Sequence, residues 1–488
     1  MVSHMSEQEY AISEYPDAEK IITQISELAK SPMVPLKRDA MDEYLQYFEQ
    51  KCVRSKELIE QAKELIPGGV QHNLAFNYPF PIAITKAEGP YMWDIDDNRY
   101  IDFLCAGGPT LISNNPPAVR EKVIELLNEC GPVTGLFHEY ELKLAELVKQ
   151  FYPSCDMFRM LGSGTEADMA AIRLARTTTG KSRIIKAGGA YHGWSDQLVY
   201  GLHIPGSSSA EAIGIPRDCN KNTQEFYPND IDGLRKLMQQ NDAKGGTAAV
   251  LLEPLGPESG TRPCPPDFNQ QVREMCDEFG ALLIFDEVVT GFRLGLKGAQ
   301  GYFNIKPDIT VFGKCIAGGY PMAGGVGGRK DIISYCAAGI ESGKKRAYVG
   351  GTLSANPLSC VAGYWYIKEM ERTNAPVLAG RAGDRLAKGL QESVDRWHVP
   401  YVVYSQGSIV HLETAGAMFV DMNDPEAMKS ATARKAMMEE MGAAYMAEGI
   451  ITIGGSRVYT MAAHTDDVID DAIERFDRIF SKSEAASE

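Results

Sequence analysis

One stretch constrains the fold more than any other: an apolar run, Ala281–Phe285, that is followed at once by two carboxylates, the first of which is Asp286. Five consecutive apolar residues are typical of a buried strand, which would deliver Asp286 to the edge of a sheet. A second short apolar run, Ile309–Phe312, is followed within two residues by Lys314. Two parallel strands that end side by side would place this acid and this amine at one sheet edge, where open α/β folds bind ligands. The two runs therefore predict a cofactor site.

An acid and an amine in this arrangement fit the chemistry of pyridoxal phosphate (PLP). Asp286 would hold a proton on the pyridine nitrogen through a charge-assisted hydrogen bond. Lys314 would form a Schiff base with the aldehyde and later move the proton of the substrate Cα. Taken singly, the two residues leave two alternatives open, a salt bridge for Asp286 and a solvated loop position for Lys314.

Composition excludes several classes of partner. The formal net charge of -16 argues against nucleic acid and anionic membranes, which are bound by basic surfaces. No apolar run approaches the roughly 20 residues that span a bilayer, and no charged-then-apolar leader is present, so we expect a cytoplasmic protein. The ten cysteines form no C-x-x-C pair, which predicts reduced thiols and no metal site. Ser3–Met5 resembles a cloning remnant and is left out of the fold prediction.

Strand and helix patterns alternate from about residue 155 to 330, which predicts an α/β fold with a mostly parallel sheet covered by helices. The segment 89–103 alternates apolar residues around a polar turn and predicts a β-hairpin. We expect four regions: a tag remnant and helical arm (1–54), the N-terminal part of a small α+β domain (55–105), a large domain (106–357) and the C-terminal part of the small domain (358–488).

A glycine-rich turn, Gly162–Thr165, opens a predicted helix. The N-terminus of a helix offers free N–H groups and a partial positive charge, which suit a phosphate. Gly164 lets the backbone approach closely, and Ser163 and Thr165 add hydroxyl donors. An ordinary N-capped helix without a ligand is the alternative that this turn alone leaves open.

Six motifs in order resemble the class III aminotransferases of PLP fold type I, and within them glutamate-1-semialdehyde 2,1-aminomutase and its related transaminases. The resemblance covers about residues 55 to 480. The motifs are Gly162-Ser-Gly-Thr-Glu-Ala167, Tyr191-His-Gly193, Glu253-Pro254, Phe285-Asp-Glu-Val-Val-Thr-Gly-Phe-Arg293, Gly313-Lys314 and Gly351-Thr-Leu-Ser-Ala-Asn-Pro357.

The resemblance implies a role for each motif. Lys314 would carry the cofactor, Asp286 would face its pyridine nitrogen, and Tyr191 would stack on its ring. Thr352 would reach the phosphate bound by the neighbouring subunit, which implies a homodimer with shared active sites. The remaining cofactor-binding residues implied are Ser163, Gly164, Thr165, His192, Glu253 and Val288. For His192 a purely structural role is the alternative.

The chain departs from the aminomutase at the substrate carboxylate. Where that enzyme has an arginine just before Ala-Phe, this chain has Leu74, which removes a bidentate clamp. Glu258 stands where related ω-aminotransferases have a glutamate that pairs with an arginine, and Arg457 is the candidate for that arginine. The alternative is that Glu258 is a structural glutamate and Arg457 a surface arginine. His72 is a further candidate for the substrate pocket. The alternative is that the aromatic-rich segment around it forms a wedge within the small domain.

These features together predict a PLP-dependent aminotransferase that moves an amino group from an amino acid or ω-amino compound to a 2-oxo acid by ping-pong chemistry. The alternatives on the same fold are an aminomutase and an amino-acid racemase or epimerase. A non-catalytic relative is disfavoured because Lys314 and Asp286 are both present.

Overall fold

The computed structural model describes residues 9–207, 212–338, 346–420 and 425–487. The chain divides into two compact units. Unit one comprises Met1–Pro16, Lys20–Pro116 and Ala375–Glu488, and unit two comprises Asp17–Glu19 and Pro117–Asn374. The predicted cloning remnant lies outside the described residues.

The helices of the described residues are α1 (Ala18–Lys30), α2 (Arg38–Lys51), α3 (Val53–Lys63), α4 (Pro117–Glu129), α5 (Glu139–Phe151), α6 (Gly164–Thr179), α7 (Ile231–Asp242), α8 (Pro257–Gly260), α9 (Phe268–Phe279), α10 (Gly298–Phe303), α11 (Lys330–Ile333), α12 (Pro357–Thr373), α13 (Ala375–Arg396), α14 (Pro425–Ala447) and α15 (Asp466–Phe480). The strands are β1 (Ile84–Glu88), β2 (Tyr91–Asp94), β3 (Arg99–Asp102), β4 (Met157–Leu161), β5 (Arg183–Ala187), β6 (Thr223–Phe226), β7 (Thr247–Leu252), β8 (Leu282–Asp286), β9 (Ile309–Gly313), β10 (Gly324–Gly328), β11 (Val402–Gln406), β12 (Ile409–Glu413), β13 (Ile450–Ile451) and β14 (Arg457–Tyr459).

Unit two is built on one seven-stranded sheet with the order β4-β10-β9-β8-β7-β5-β6. The five strands from β9 to β6 in this order are parallel, whereas β10 runs antiparallel to both of its neighbours. Every residue of β7, β8 and β9 is buried, as expected for central strands of a sheet that is covered on both faces. The predicted mostly parallel sheet is confirmed.

Strand β8 shows how the apolar run supports the sheet on both faces. Leu282 and Ile284 belong to the hydrophobic core that contains α6, whereas Leu283 and Phe285 belong to the core that contains α9. Side chains alternate between faces because the strand has a period of two residues. Burial of each side chain contributes about 1.5–3 kcal/mol, and Phe285→Ala would cost about 3–5 kcal/mol.

Strand β10 does not follow from the hydrophobic pattern, because four of its five residues are glycine. The glycines are required by close approaches of neighbouring backbone. A Cβ on Gly324 would lie 2.2 Å from the carbonyl oxygen of Ser163, and one on Gly328 would lie 2.4 Å from that of Asp308. The strand therefore forms where side chains are excluded, and the pattern of alternating apolar residues is absent.

Unit one contains the predicted hairpin, in which β2 and β3 are antiparallel with Tyr91 opposite Ile101. The segment predicted as a helical arm instead contributes to the core of this unit, because Met41, Tyr44 and Phe48 of α2 are buried there.

The observed division also differs from the predicted domain boundaries at 105/106 and 357/358. The chain passes between the units at Pro116 and Asn374, since α12 packs on α4 and α5 within unit two. No helix among the described residues is long and apolar enough to cross a membrane.

Candidate active site

The acid and the amine follow two neighbouring strands. Asp286 ends β8 and lies opposite Val311 of β9, and the next backbone N–H, that of Glu287, donates to the carbonyl oxygen of Val311 at 3.0 Å. Lys314 comes directly after β9. The adjacency predicted for the two strands is confirmed, and both residues follow the carboxyl ends of parallel strands.

Asp286 is buried and held by two donors. Its Oδ1 accepts the N–H of Val288 at 2.9 Å, and its Oδ2 lies 2.7 Å from Nδ1 of His192. Both side chains are at most 4% exposed. Because a carboxylate can only accept, we assign the ring proton to Nδ1, and His192 Nε2 then has no hydrogen-bond partner in the part of the chain that the structure describes. These two hydrogen bonds fix the orientation of the Asp286 carboxylate.

A second carboxyl group, Asp168 of α6, lies beside this pair and was not among the predicted site residues. Side-chain N and O atoms of Asp168, His192 and Asp286 lie within 4.8 Å of one another. Burial, the charges of Asp286 and Glu253 and a hydrogen bond to Asp286 raise the pKa of Asp168 well above its usual value. One signal in the sequence could have found it, because position 168 shares a helix face with Ala171 and Ala175, three and seven residues further on.

Acidic and imidazole groups this close together also have the composition of a metal site. Two carboxylates and one histidine could hold a cation in other settings. Here the Nδ1 proton of His192 is directed at Asp286, and burial raises the pKa of Asp168, which opposes the charged form that would bind a cation. The absence of a metal therefore stays a prediction.

The N-terminus of α6 forms the predicted glycine-rich turn. Ser163 is the N-cap, and its Oγ accepts the N–H of Glu166 at 3.2 Å. A Cβ on Gly164 would lie 2.8 Å from Cγ2 of Val288, and one on Gly313 would lie 2.7 Å from its Cγ1. Val288 therefore lies against both the start of α6 and the residue that precedes the lysine.

A second close approach joins the loop after β5 to the same helix end. A Cβ on Gly193 would lie 2.2 Å from Oγ1 of Thr165, and Gly193 has φ +81°. Only glycine meets both conditions without strain. The residues that precede it, Tyr191 and His192, are thus fixed close to the first turn of α6.

Lys314 has a backbone conformation that is rare for its residue type. Its φ is +48°, in the left-handed region, which costs a non-glycine residue about 1–3 kcal/mol. Strain of this kind clusters at functional sites. Glu258 and Ser259, both with φ +50°, are further examples in unit two.

Glu253 joins the loop of Tyr191 to the turn at residues 258–259. Its Oε1 accepts the N–H of Tyr191 at 3.0 Å and that of Glu258 at 2.7 Å. Its Oε2 accepts the N–H and, at 2.9 Å, the hydroxyl of Ser259. Burial raises the pKa of Glu253, and these donors oppose the shift. The Tyr191 side chain itself is 46% exposed, and partial burial together with the charge of Glu258 raises its pKa.

The other predicted residues are placed as follows. Thr352 is exposed in the loop before α12, and a Cβ on the adjacent Gly351 would lie 3.8 Å from Oε2 of Glu166. His72 is exposed in unit one, where its Nδ1 accepts the N–H of Leu74 at 3.2 Å. Arg457 lies in unit one, on β14, so its pairing with Glu258 of unit two stays a prediction.

The family model described as Aminotransferase class-III matches residues 74–480, most of the chain. The chain belongs to the class III aminotransferases. Members of this family use PLP, and the enzyme is therefore a PLP-dependent aminotransferase by family.

Solved structures of this family have the same architecture. An omega-transaminase from Sphaerobacter thermophilus is 28% identical with a TM-score of 0.78, over 88% of this chain and 97% of that one. A β-phenylalanine aminotransferase from Variovorax paradoxus is 26% identical with a TM-score of 0.77, over 90% of this chain and 96% of that one. A glutamate-1-semialdehyde aminomutase from Pseudomonas aeruginosa PAO1 shares the fold at 20% identity and a TM-score of 0.78, over 94% and 99%. The predicted PLP fold type I is confirmed.

The residues of this aminotransferase fit PLP. A buried carboxylate with two donors lies at the sheet edge where a pyridinium proton would be held. The start of α6 offers the N–H groups of a helix N-terminus, which suit a phosphate, and glycine is required beside it because a Cβ on Gly164 or Gly193 would collide with Val288 or Thr165. Lys314 follows the neighbouring strand.

Proposed function

We propose that Lys314, Asp286 and the N-terminal turn of α6 hold the PLP with which this aminotransferase transfers amino groups. The observation that carries the proposal is the register of β8 and β9, which brings an acid and a lysine to one sheet edge. PLP, when bound, supplies an aldehyde for the amino group and a ring that takes up the electrons released at the substrate Cα.

The side chains would divide the work as follows. Asp286 would accept a hydrogen bond from the protonated ring nitrogen and so keep the ring cationic, while His192 and the N–H of Val288 fix the carboxylate. Lys314 Nζ would take the proton from the substrate Cα and deliver it to the carbon that carried the aldehyde of the cofactor. Ser163, Gly164 and Thr165 bind the phosphate, and Tyr191, held by Glu253, covers the ring.

Borohydride reduction of the purified protein tests this assignment. We expect a phosphopyridoxyl adduct on the peptide that contains Lys314, and none in Lys314→Ala. An adduct on another lysine, or a protein that takes up no PLP, would refute the proposal.

The amino donor and acceptor are to be found by offering α-, β- and ω-amino acids one at a time. An aminotransferase without acceptor releases one oxo product per site and then stops. A racemase inverts its substrate without acceptor, and an aminomutase returns an isomer. Arg457 would bind the second carboxylate of a dicarboxylic partner and would pair with Glu258 when the partner is uncharged. Arg457→Ala should therefore lose activity toward dicarboxylic partners, and Glu258→Ala toward uncharged ones; the same loss toward both kinds of partner in both variants would refute this switch. His72→Ala tests the third proposed substrate contact.

We further propose a homodimer in which Thr352 serves the partner's site. Large apolar side chains exposed on unit two support this, among them Leu136 at 81%, Phe137 at 74% and Tyr348 at 74%. Mixed dimers of Lys314→Ala and Thr352→Ala chains supply the test. One site of each mixed dimer is intact if Thr352 acts across the interface, and neither is intact if it acts within its own chain.

A cytoplasmic location is proposed as well. All ten cysteines are free thiols, as expected in a reducing compartment. Fractionation of the source cells would test it.

A further inference from the structure

Asp168 is a buried acid that the proposed chemistry does not use. It shares a face of α6 with the buried Ala171 and Ala175, and it is 1% exposed. Its Oδ1 has no hydrogen-bond partner among the described residues. An ionised carboxylate at such a position would pay a desolvation penalty that no donor offsets.

Side-chain atoms of Asp168 and Asp286 lie within 4.8 Å of each other and both residues are buried, so two negative charges there would repel and we expect one proton between the two carboxyl groups. Asp286 already accepts from a backbone N–H and from His192. Asp168 has no such support at Oδ1. The proton therefore belongs on Asp168, with Asp286 as the acceptor.

We propose that Asp168 is a positioning residue of the cofactor site, which stays a neutral carboxylic acid and donates a hydrogen bond to the Asp286 carboxylate. The pair of Asp168 and Asp286 then holds a single negative charge opposite the single positive charge of a protonated ring nitrogen. A second charge at Asp168 would repel Asp286 and displace it. The link to the cofactor rests on the proposed function, whereas the protonation of Asp168 does not.

The surroundings of Asp168 contain few other groups that titrate. Those facing it are Asp286 at the end of β8, Glu253 after β7, and Tyr191 and His192 in the loop after β5. Strands β7, β9 and β10, which also pack on α6, carry none. The charged side chains of β4 and α11 are exposed, namely Arg159, Lys330 and Asp331.

Thermal unfolding of the cofactor-free protein gives the first test. A carboxyl group that keeps its proton in the folded state but loses it at about pH 4 when unfolded makes the protein less stable as the pH rises. An asparagine side chain at this position would supply the donor without titrating. We therefore expect the Tm of Asp168→Asn to rise relative to wild type as the pH increases from about 4 to 8. Asp242→Asn, which replaces an exposed aspartate on α7, is the control for the substitution itself. A difference between Asp168→Asn and wild type that stays constant with pH would overturn the proposal.

Infrared spectroscopy tests the same point without depending on a variant's stability. Wild-type protein at neutral pH, grown with aspartate labelled at the side-chain carbon, should show the C=O stretching band of a protonated carboxylic acid, shifted by the label. The band should be missing from Asp168→Asn. A purely structural role for an ionised Asp168 would give no such band, and its absence in wild type would refute the assignment.

Cofactor affinity connects the proton to the site. Asp168→Asn retains a donor and should bind PLP within about threefold of wild type, while Asp168→Leu removes the donor and should bind about 10- to 100-fold more weakly. Equal affinity of Asp168→Leu and wild type would exclude a positioning role. Failure of wild type to bind PLP would instead refute the proposed function and leave the infrared result standing.

Discussion

Glu253 is the acceptor that holds two segments of the proposed site together, and Glu253→Gln tests this directly. The carboxylate accepts four donors, two on each oxygen: the N–H groups of Tyr191 and Glu258 on Oε1, and the N–H and hydroxyl of Ser259 on Oε2. Glutamine has nearly the same shape but replaces one acceptor with an NH2 group. Its oxygen can serve only one side.

The less costly orientation places the NH2 group toward Ser259, whose hydroxyl can turn and accept. One buried backbone N–H, that of Ser259, is then unsatisfied, at about 1–3 kcal/mol. The two bonds that remain lose the assistance of the charge, at roughly 1 kcal/mol each. We therefore expect the local structure to lose about 3–5 kcal/mol.

Hydrogen exchange measured by mass spectrometry reports on this loss where it occurs. Amides at 190–194 and 256–261 should exchange roughly 100- to 4,000-fold faster in Glu253→Gln, because each 1.4 kcal/mol is a factor of about ten. Ser259→Ala removes only the hydroxyl donor and should change the rates by about tenfold or less. Unchanged exchange in a folded Glu253→Gln protein would refute the account of the four bonds.

Three further predictions concern close contacts and thiols. Gly193→Ala should destabilise the protein by about 2–5 kcal/mol in urea unfolding, because the new Cβ would lie 2.2 Å from Thr165 Oγ1 and the residue has a φ of +81°. Gly131→Ala is the control: its φ is +77°, but no atom lies near its Cβ position, so it should show the backbone strain alone. Gly164→Ala should lower the free energy of unfolding by about 1–3 kcal/mol in the same assay, because the new Cβ would lie 2.8 Å from Val288 Cγ2. Adding Val288→Ala should recover part of this stability, and additive losses in the double variant would contradict the contact. Of the ten free cysteines, the exposed Cys130 and Cys219 should react with a thiol reagent in the native protein, and all ten should react after unfolding.

The strands that carry the site could be predicted because each is a short apolar run that ends in a polar residue. Strands β8 and β9 lie within one residue of the predicted runs Ala281–Phe285 and Ile309–Phe312. Strand β6 was missed, since Thr223–Phe226 has no strong apolar alternation. Strand β10 was missed because its glycines are required by the close approach of neighbouring backbone, so the strand has no apolar side-chain pattern to identify it.

The site residues likewise divide into those with a local signal in the sequence and those that depend on how the elements pack. Asp286, Lys314 and the start of α6 follow strand ends and a glycine-rich turn, which are local signals. Asp168 depends on which face of α6 meets the sheet, and an acid near the beginning of a helix is ordinarily explained by the helix dipole. Its burial could be inferred only from the helix face that it shares with Ala171 and Ala175.

Val288 shows why such contacts escape motif reasoning even when each motif is identified. Gly164 and Gly313 are far apart in sequence, and each is explained locally by a turn or a strand end. In the folded chain the two branches of one valine occupy the space that their Cβ atoms would need. A side chain added at either glycine must displace Val288, whose own N–H holds Oδ1 of Asp286. A steric change at the start of α6 would therefore also move the Asp286 carboxylate, because Val288 contacts Gly164 and its N–H binds Oδ1 of Asp286.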